Sequence, residues 1–485
     1  MARSTKTRFI SLVPNAAMRS AKRVAPSLCA VLLAVATSCA FAQLADTPSA
    51  ELLERGRYLA IAGDCAACHT KPWGKPFAGG LPLPTPIGGI IATNITPSKS
   101  AGIGSYTLEQ FSAAMRKGVR ADGAQLYPAM PYTAYAKVTD DDLGALYAYF
   151  MHAVAPVDAA PPDTKLPFPF NIRLLMLAWN ILFLDRNVFH PDLAQSAEWN
   201  RGAYLARGLA HCGTCHTPRN FMMAESLSRE MGGGEVGVWH APNVTSDANS
   251  GIGGWNEQEL VEYMRVGHAA GKAQAAGPMA EAIDKSLRHL TEGDLRSIAI
   301  FLKGVPALHD AADTRPRYAW GAAADDLPSI RGVALPTNLD QMTGPQLYDA
   351  ECSTCHQAHG QGSFDGGLPP LFHNTALGRT NTNNLVMVML DGIHRETEPP
   401  EVPMPGFAKL SDRQLATLGA YLTQRYGNSN AAVTPAQVTT LRAGGAASQL
   451  VLLARLAIAV GIVAIIAVLV SFARRRRSRS NDARI

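Results

Sequence analysis

Residues 55–70 read RGRYLAIAGDCAACHT, and residues 201–217 read RGAYLARGLAHCGTCHT. Working outward, TNITPSKSAGIGSYTLEQFSAAMRKG (93–118) matches PNVTSDANSGIGGWNEQELVEYMRVG (242–267) nearly position for position. A shorter third copy, GPQLYDAECSTCH, covers 344–356. Repetition of this kind makes the chain a tandem array of three similar domains. Each copy closes on apolar residues at three-to-four spacing, over 138–154, 290–305 and 410–426, which predicts a helix. Thr139, Thr291 and Ser411 stand at the starts of those stretches, with Asp142, Asp294 and Gln414 three residues on; the last pair reads as a full capping box. The expected fold is therefore mainly α, with two or three helices per unit wrapped round long loops rich in the chain's 42 Gly and 32 Pro. Units of roughly 100 residues built this way have trouble filling a core alone. A large apolar cofactor would complete it.

The cysteines name that cofactor. Of eight, two lie near the amino terminus, and the other six fall in three identical settings: Cys65, Cys68 and His69; Cys212, Cys215 and His216; Cys352, Cys355 and His356. Cys-x-x-Cys-His is the haem c attachment pattern. Cysteines three apart share one face of a helical turn, where each can form a thioether to a haem vinyl group, and the adjacent His then sits under the iron. Disulfides or half a zinc site are the competing readings. Zinc would need a second cysteine pair in each unit, which the sequence lacks, and a redox dithiol has no need of His beside it three times. Three covalent haems c are expected. The sixth iron ligand should be Met or His. Met130, Met279 and Met404 each stand beside Pro, 48–63 residues past the proximal His, and that recurrence favours them over ordinary core methionines. Met387 and Met389 lie near Met404, and His152, His289 and His394 are non-recurrent alternatives.

The two ends shape the charge. The net +5 hides a middle, residues 43–449, with 31 basic against 38 acidic side chains, which argues against nucleic acid as a partner. Residues 1–42 combine six Lys/Arg, an apolar stretch and Ala40-Phe41-Ala42, the form of an export signal peptide. Residues 450–473 are apolar enough, and at 456–472 uncharged enough, to span a bilayer; Arg455 can snorkel. Arg474 to Arg477 follow at once, which puts the 474–485 tail in the cytoplasm.

On GDCAACHT, TNITP, GIGSYT, LYPAMPY and YAYFMHAV in the first unit, QSAEWNRGAYL, HCGTCHTPRN, NVTSD and AAGPMAE in the second, and LFHN and MPGF in the third, the chain resembles the three-haem cytochrome c subunit of bacterial membrane-bound dehydrogenases. That group serves quinoprotein alcohol dehydrogenase, gluconate dehydrogenase and FAD-dependent glucose and sorbitol dehydrogenases, and the match covers about residues 50–428. The resemblance implies three class I-like cytochrome c domains (43–155, 198–305 and 339–428) with His/Met ligation. Linkers then cover 156–197, with an apolar helical stretch at 170–184, and 306–338; a polar stalk covers 429–449. It also implies transfer of electrons from a flavoprotein or quinoprotein dehydrogenase subunit to ubiquinone in the cytoplasmic membrane, with the haem domains in the periplasm. The carboxyl-terminal span, absent from some relatives, leaves the dehydrogenase branch open. No substrate site and no Gly-rich nucleotide motif between strand and helix is present, so the expectation is an electron-transfer subunit and not a catalyst of substrate chemistry. A stand-alone membrane cytochrome feeding a terminal oxidase is the alternative; a multihaem peroxidase is a weaker one, because it needs an open iron position.

Overall fold

A computed structural model describes residues 48–364, 367–396 and 402–482; the expected signal peptide lies outside them. In the first copy, α1 (Ala50–Ala62) leads into a one-turn helix, Cys65–His69. A two-stranded hairpin follows, β1 (Pro82–Thr85) with β2 (Gly88–Ile91), then α2 (Leu108–Lys117) and the closing α3 (Asp140–His152). The linker carries α4 (Leu175–Phe183). The second copy repeats the plan as α5 (Ala197–Tyr204), the turn Gly213–His216, hairpin β3 (Gly234–Val236) with β4 (Trp239–Ala241), α6 (Glu257–Val266), α7 (Gly277–Lys285) and α8 (Glu292–Gly304). The third is more economical: α9 (Gly344–Glu351), the turn Ser353–His356, α10 (Asn383–Asp391) and α11 (Asp412–Tyr426). The expected caps form: Thr139, Thr291 and Ser411 accept from the backbone N–H of Asp142, Asp294 and Gln414, and Ser411 completes its capping box.

The first helix of each copy packs on the last, and a glycine sets their distance. A Cβ on Gly56 would stand 2.0 Å from the Ala145 carbonyl oxygen, and one on Gly202 1.9 Å from that of Ser297; only glycine lets these backbones approach so closely. Arg55 then reaches Asp142 at 2.6 Å and Arg201 reaches Asp294 at 2.7 Å. The tyrosines of the same motif cross between copies. Tyr58 donates to Asp294 at 2.6 Å, and Tyr204 donates to Asp142 at 2.5 Å. Each tyrosine hydroxyl also accepts from the other copy's capping residue, Thr291 or Thr139. Each buried carboxylate is thus held by its own copy's Arg and its neighbour's Tyr, an exchange that follows from duplication of RGxYL.

The second motif is one residue longer than the first between Arg and Cys. The structure absorbs the extra residue as a π-helical turn at Leu205–Leu209, a usual way to accommodate an insertion without breaking the helix.

The first two copies share one continuous core, running from Leu59, Phe111 and Phe150 through Leu205 and Leu209 to Ile298 and Phe301. The third has its own, around Leu347, Val386, Leu415 and Leu418. The expected stalk differs from the reading above: within 429–449, α12 (Pro435–Arg442) buries Val438 and Leu441 in that third core. Val433, Val438 and Leu441 are enough apolar side chain to dock a short helix whose composition otherwise reads as polar. Last, α13 (Leu450–Asp482) contains a 25-residue stretch, Leu450–Arg474, long and apolar enough to cross a membrane.

Candidate functional site

Each Cys-x-x-Cys-His set sits on a one-turn helix reached through a sharp entry. In the first two copies the residue before the first cysteine is left-handed, Asp64 at φ 50 and His211 at φ 37. The turn throws the cysteines of each set to one side. All six thiols are free. Burial pushes the Cys65, Cys68, Cys212 and Cys352 thiols up to about 12, the opposite of what a redox dithiol or thiolate metal ligand requires. Among the described residues no group of three or more His, Cys, Asp or Glu could hold a metal ion.

The three histidines share one arrangement. His69 Nδ1 lies 2.7 Å from the Thr93 carbonyl, His216 Nδ1 2.7 Å from that of Pro242, and His356 Nδ1 2.9 Å from that of Pro369. A carbonyl can only accept, so Nδ1 carries the proton and Nε2 presents its lone pair. Burial also lowers the pKa of all three rings, His216 to about 4, which keeps them neutral as ligation requires. The accepting carbonyls are fixed by the TNIT and PNVT repeats. Asn94 accepts from the backbone N–H and hydroxyl of Thr96 and donates to Val157; Asn243 does the same with Thr245 and Leu308. Each repeat thereby ties its histidine-holding loop to the chain just beyond its closing helix.

A largely apolar cavity of about 330 Å³ is lined by Cys212, Cys215, His216 and Met279 of the second set and by Cys352, His356 and Met404 of the third. Two sites that the sequence treats separately open into one space, which Asp64 and His211 also line. Met279 lies in the first turn of α7, and Met404 exchanges two backbone hydrogen bonds with Ile393. Met130 packs, with Cys65, against the core shared by the first two copies. The alternative histidines His152, His289 and His394 are exposed. Met387 is absent from the cavity wall, whereas Met389 is part of it. Neutral imidazoles with free Nε2, paired thiols on one turn and apolar walls ending on a thioether are the donor set that haem c needs.

Sequence reading missed Asp64, His211 and Arg379. His211 is held neutral, near 4, by burial, and its ring lies against Tyr135 of the first copy with centroids 5.7 Å apart. Its only signal was its place before a cysteine, where the first copy has Asp64.

These features define a cytochrome c. A cytochrome c family model matches residues 341–425. The chain is 44% identical over 435 residues, 87% of this chain and 89% of the relative, to the fructose dehydrogenase cytochrome subunit of Gluconobacter japonicus. It is 38% identical to the gluconate 2-dehydrogenase cytochrome c subunit of Pantoea cypripedii, over 85% of this chain and 94% of the relative. It is 36% identical to the cytochrome c subunit of the quinone alcohol dehydrogenase of Gluconobacter oxydans, over 86% of each. The chain belongs to this family of dehydrogenase cytochrome c subunits; its cofactor is covalent haem c and its work is electron transfer.

Proposed function

We propose that the chain binds three haems c and carries electrons from a partner dehydrogenase subunit to ubiquinone in the cytoplasmic membrane. The observation that most supports this is the cavity common to the second and third attachment sets, with Asp64 and the Cys68 thiol of the first set close to the second. Sites so near one another suit stepwise transfer along the chain. In this reading Cys65 and Cys68, Cys212 and Cys215, and Cys352 and Cys355 form the thioethers. His69, His216 and His356 are the proximal ligands, and Met130, Met279 and Met404 the distal ones. The haem iron supplies one-electron chemistry; thioether ligation raises its potential. The chain's residues do the rest: carbonyls orient the imidazoles, apolar walls limit water, and α13 holds the assembly at the lipid where quinone is found. The relatives are named as subunits of fructose, gluconate and alcohol dehydrogenases, which supports a flavoprotein or quinoprotein partner.

A reduced haemochrome assay on the mature protein should give three haems per chain, and two or fewer would reject the count. A dehydrogenase subunit should copurify, and the complex should reduce a ubiquinone analogue. Isolation of the chain alone, with electrons passing only to a terminal oxidase, would overturn the partner assignment.

A further inference from the structure

Arg379 belongs by sequence to the third copy, between His356 and Met404, yet its side chain faces the second. It is 5% exposed and lines the shared cavity. One Nη donates to the His240 carbonyl at 3.4 Å, and Nε has no hydrogen-bond partner among the described residues. The nearby Arg317 cannot relieve this, being a second cation with no acceptor, and it already donates to the buried Asp313 at 2.6 and 3.0 Å. Two guanidiniums therefore share one carboxylate. Among the described residues Asp64 is the one acid on the cavity wall, and it is not among the groups acting on Arg379. Burial first, then the neighbouring Arg317, weakens Arg379's hold on its proton, to about 9.

A buried guanidinium with open donors is costly unless an anion meets it, and its planar fork matches a carboxylate. Haem carries two propionate carboxylates. We propose that Arg379, contributed by the third unit, binds a propionate of the haem attached at Cys212 and Cys215, so that the second haem pocket is completed by the neighbouring unit. The second haem is singled out by geometry. Arg379 bonds to His240, two residues before the Pro242 carbonyl that holds His216. The device is held in place from both sides: Asn384 of α10 and the backbone of His240 exchange two hydrogen bonds, at 2.8 and 2.9 Å. A cation beside a propionate disfavours the oxidised, more positive iron and so raises the potential of that haem.

The inference rests on the reading that the second unit carries haem, and the test separates the two. Full-length protein is prepared as Arg379→Gln, Arg379→Lys and, as the reference, Cys212→Ala with Cys215→Ala. Haem content, midpoint potentials by spectroelectrochemical titration and the propionate bending modes in resonance Raman spectra are recorded for each. The double cysteine variant should lose one haem and one midpoint, which identifies the second haem; an unchanged haem count there would reject the reading and not Arg379's role. Arg379→Gln should keep its haems, lower that same midpoint and shift the propionate mode. Arg379→Lys should recover most of the potential but not the Raman mode. Normal haem content with unchanged midpoints and Raman spectrum in Arg379→Gln would overturn the proposal, as would a shift confined to a midpoint that survives in the cysteine variant. If Arg379→Gln fails to accumulate, an unaltered propionate mode in Arg379→Lys would overturn it equally.

Discussion

At the scale of single residues, the molecule depends on groups whose partners lie in another copy. Asp294 shows how. Burial alone would raise its pKa, but hydrogen bonds from Arg201 and Tyr58 hold it below the usual carboxylate range. Asp284 behaves likewise under Arg395 of the third copy, 2.7 Å away in a pair almost wholly out of water. A carboxylate with a depressed folded pKa adds stability that is complete above its unfolded value, about 4, and is lost as pH falls through the folded one. The interfaces between copies should therefore hold at neutral pH and loosen only in acid, below about pH 4, which a thermal-midpoint series against pH would show; a midpoint falling between pH 8 and 6 would contradict it. Arg395→Ala leaves the buried Asp284 with only Arg288, 3.8 Å away, and should cost about 3 kcal/mol, read as a lowered unfolding midpoint. Because Asp284 lies on α7 with Met279, that variant should also weaken the thioether–iron charge-transfer band. Met279→Ala and Met130→Ala should each abolish that band at one site while the covalent haem remains; bis-histidine spectra in the unmodified protein would refute both.

At the scale of elements, α4 shows two faces with different consequences. Trp179 and Asn180 are buried, the indole N–H donating to the Met222 carbonyl at 2.9 Å and the Asn180 amide oxygen accepting from Tyr132 at 2.8 Å. This face fastens the linker across the first two copies. Leu175, Leu177, Ile181 and Leu182, with Ile172 and Leu174 just before the helix, are exposed, a patch of the sort that marks an interface. Arg455, near the start of α13, donates to the Phe168 carbonyl at 3.0 Å, so the patch lies beside the base of the candidate membrane span. Trp179→Ser should lower stability by about 3 kcal/mol. Leu182→Ser should leave the melting midpoint and haem content unchanged but weaken binding to lipid vesicles or quinone reduction; unchanged values of both would remove any role for the exposed face. The α5–α8 contact is equally specific. Gly202→Ala drives a methyl into the Ser297 carbonyl and should cost about 3 kcal/mol, whereas Gly144→Ala, at an open position, should cost nothing measurable.

For the whole molecule, the described residues of the first two copies build one large core jointly and those of the third build another, with a small separate cluster around Tyr132 and Trp179. The first two should unfold together and the third separately, giving two calorimetric transitions. Substitution of Cys352 and Cys355 by Ala should remove one haem and depress only one of them. Ending the chain after Ser448 keeps α12 and should release a soluble, haem-loaded protein. Ending it at Gly427 removes Val438 and Leu441 from the third core and should lower that transition specifically. Equal stability of the two truncations would mean that α12 contributes nothing, and persistent membrane attachment of the longer one would locate a second anchor in the α4 patch.

The sequence by itself determined whatever is local and repeated. Cysteine–histidine spacing, capping residues, closing helices and the apolar run at 450–473 are all set by neighbours along the chain, and the likeness of the copies supported the first three by recurrence. Tertiary structure decided what depends on contacts between copies. The sequence cannot show that Tyr58 serves Asp294 rather than its own copy's Asp142, because both pairings satisfy the same motif. Nor does it show that 429–449 docks as a helix, since two well-placed apolar residues outweigh a polar composition only when a cavity awaits them. Arg379 reads as one more basic residue until the fold buries it in a pocket belonging to another unit. Its role arises there because a charge withdrawn from water must find its counterpart within a few ångströms, and which groups lie that close is a property of packing and not of order along the chain.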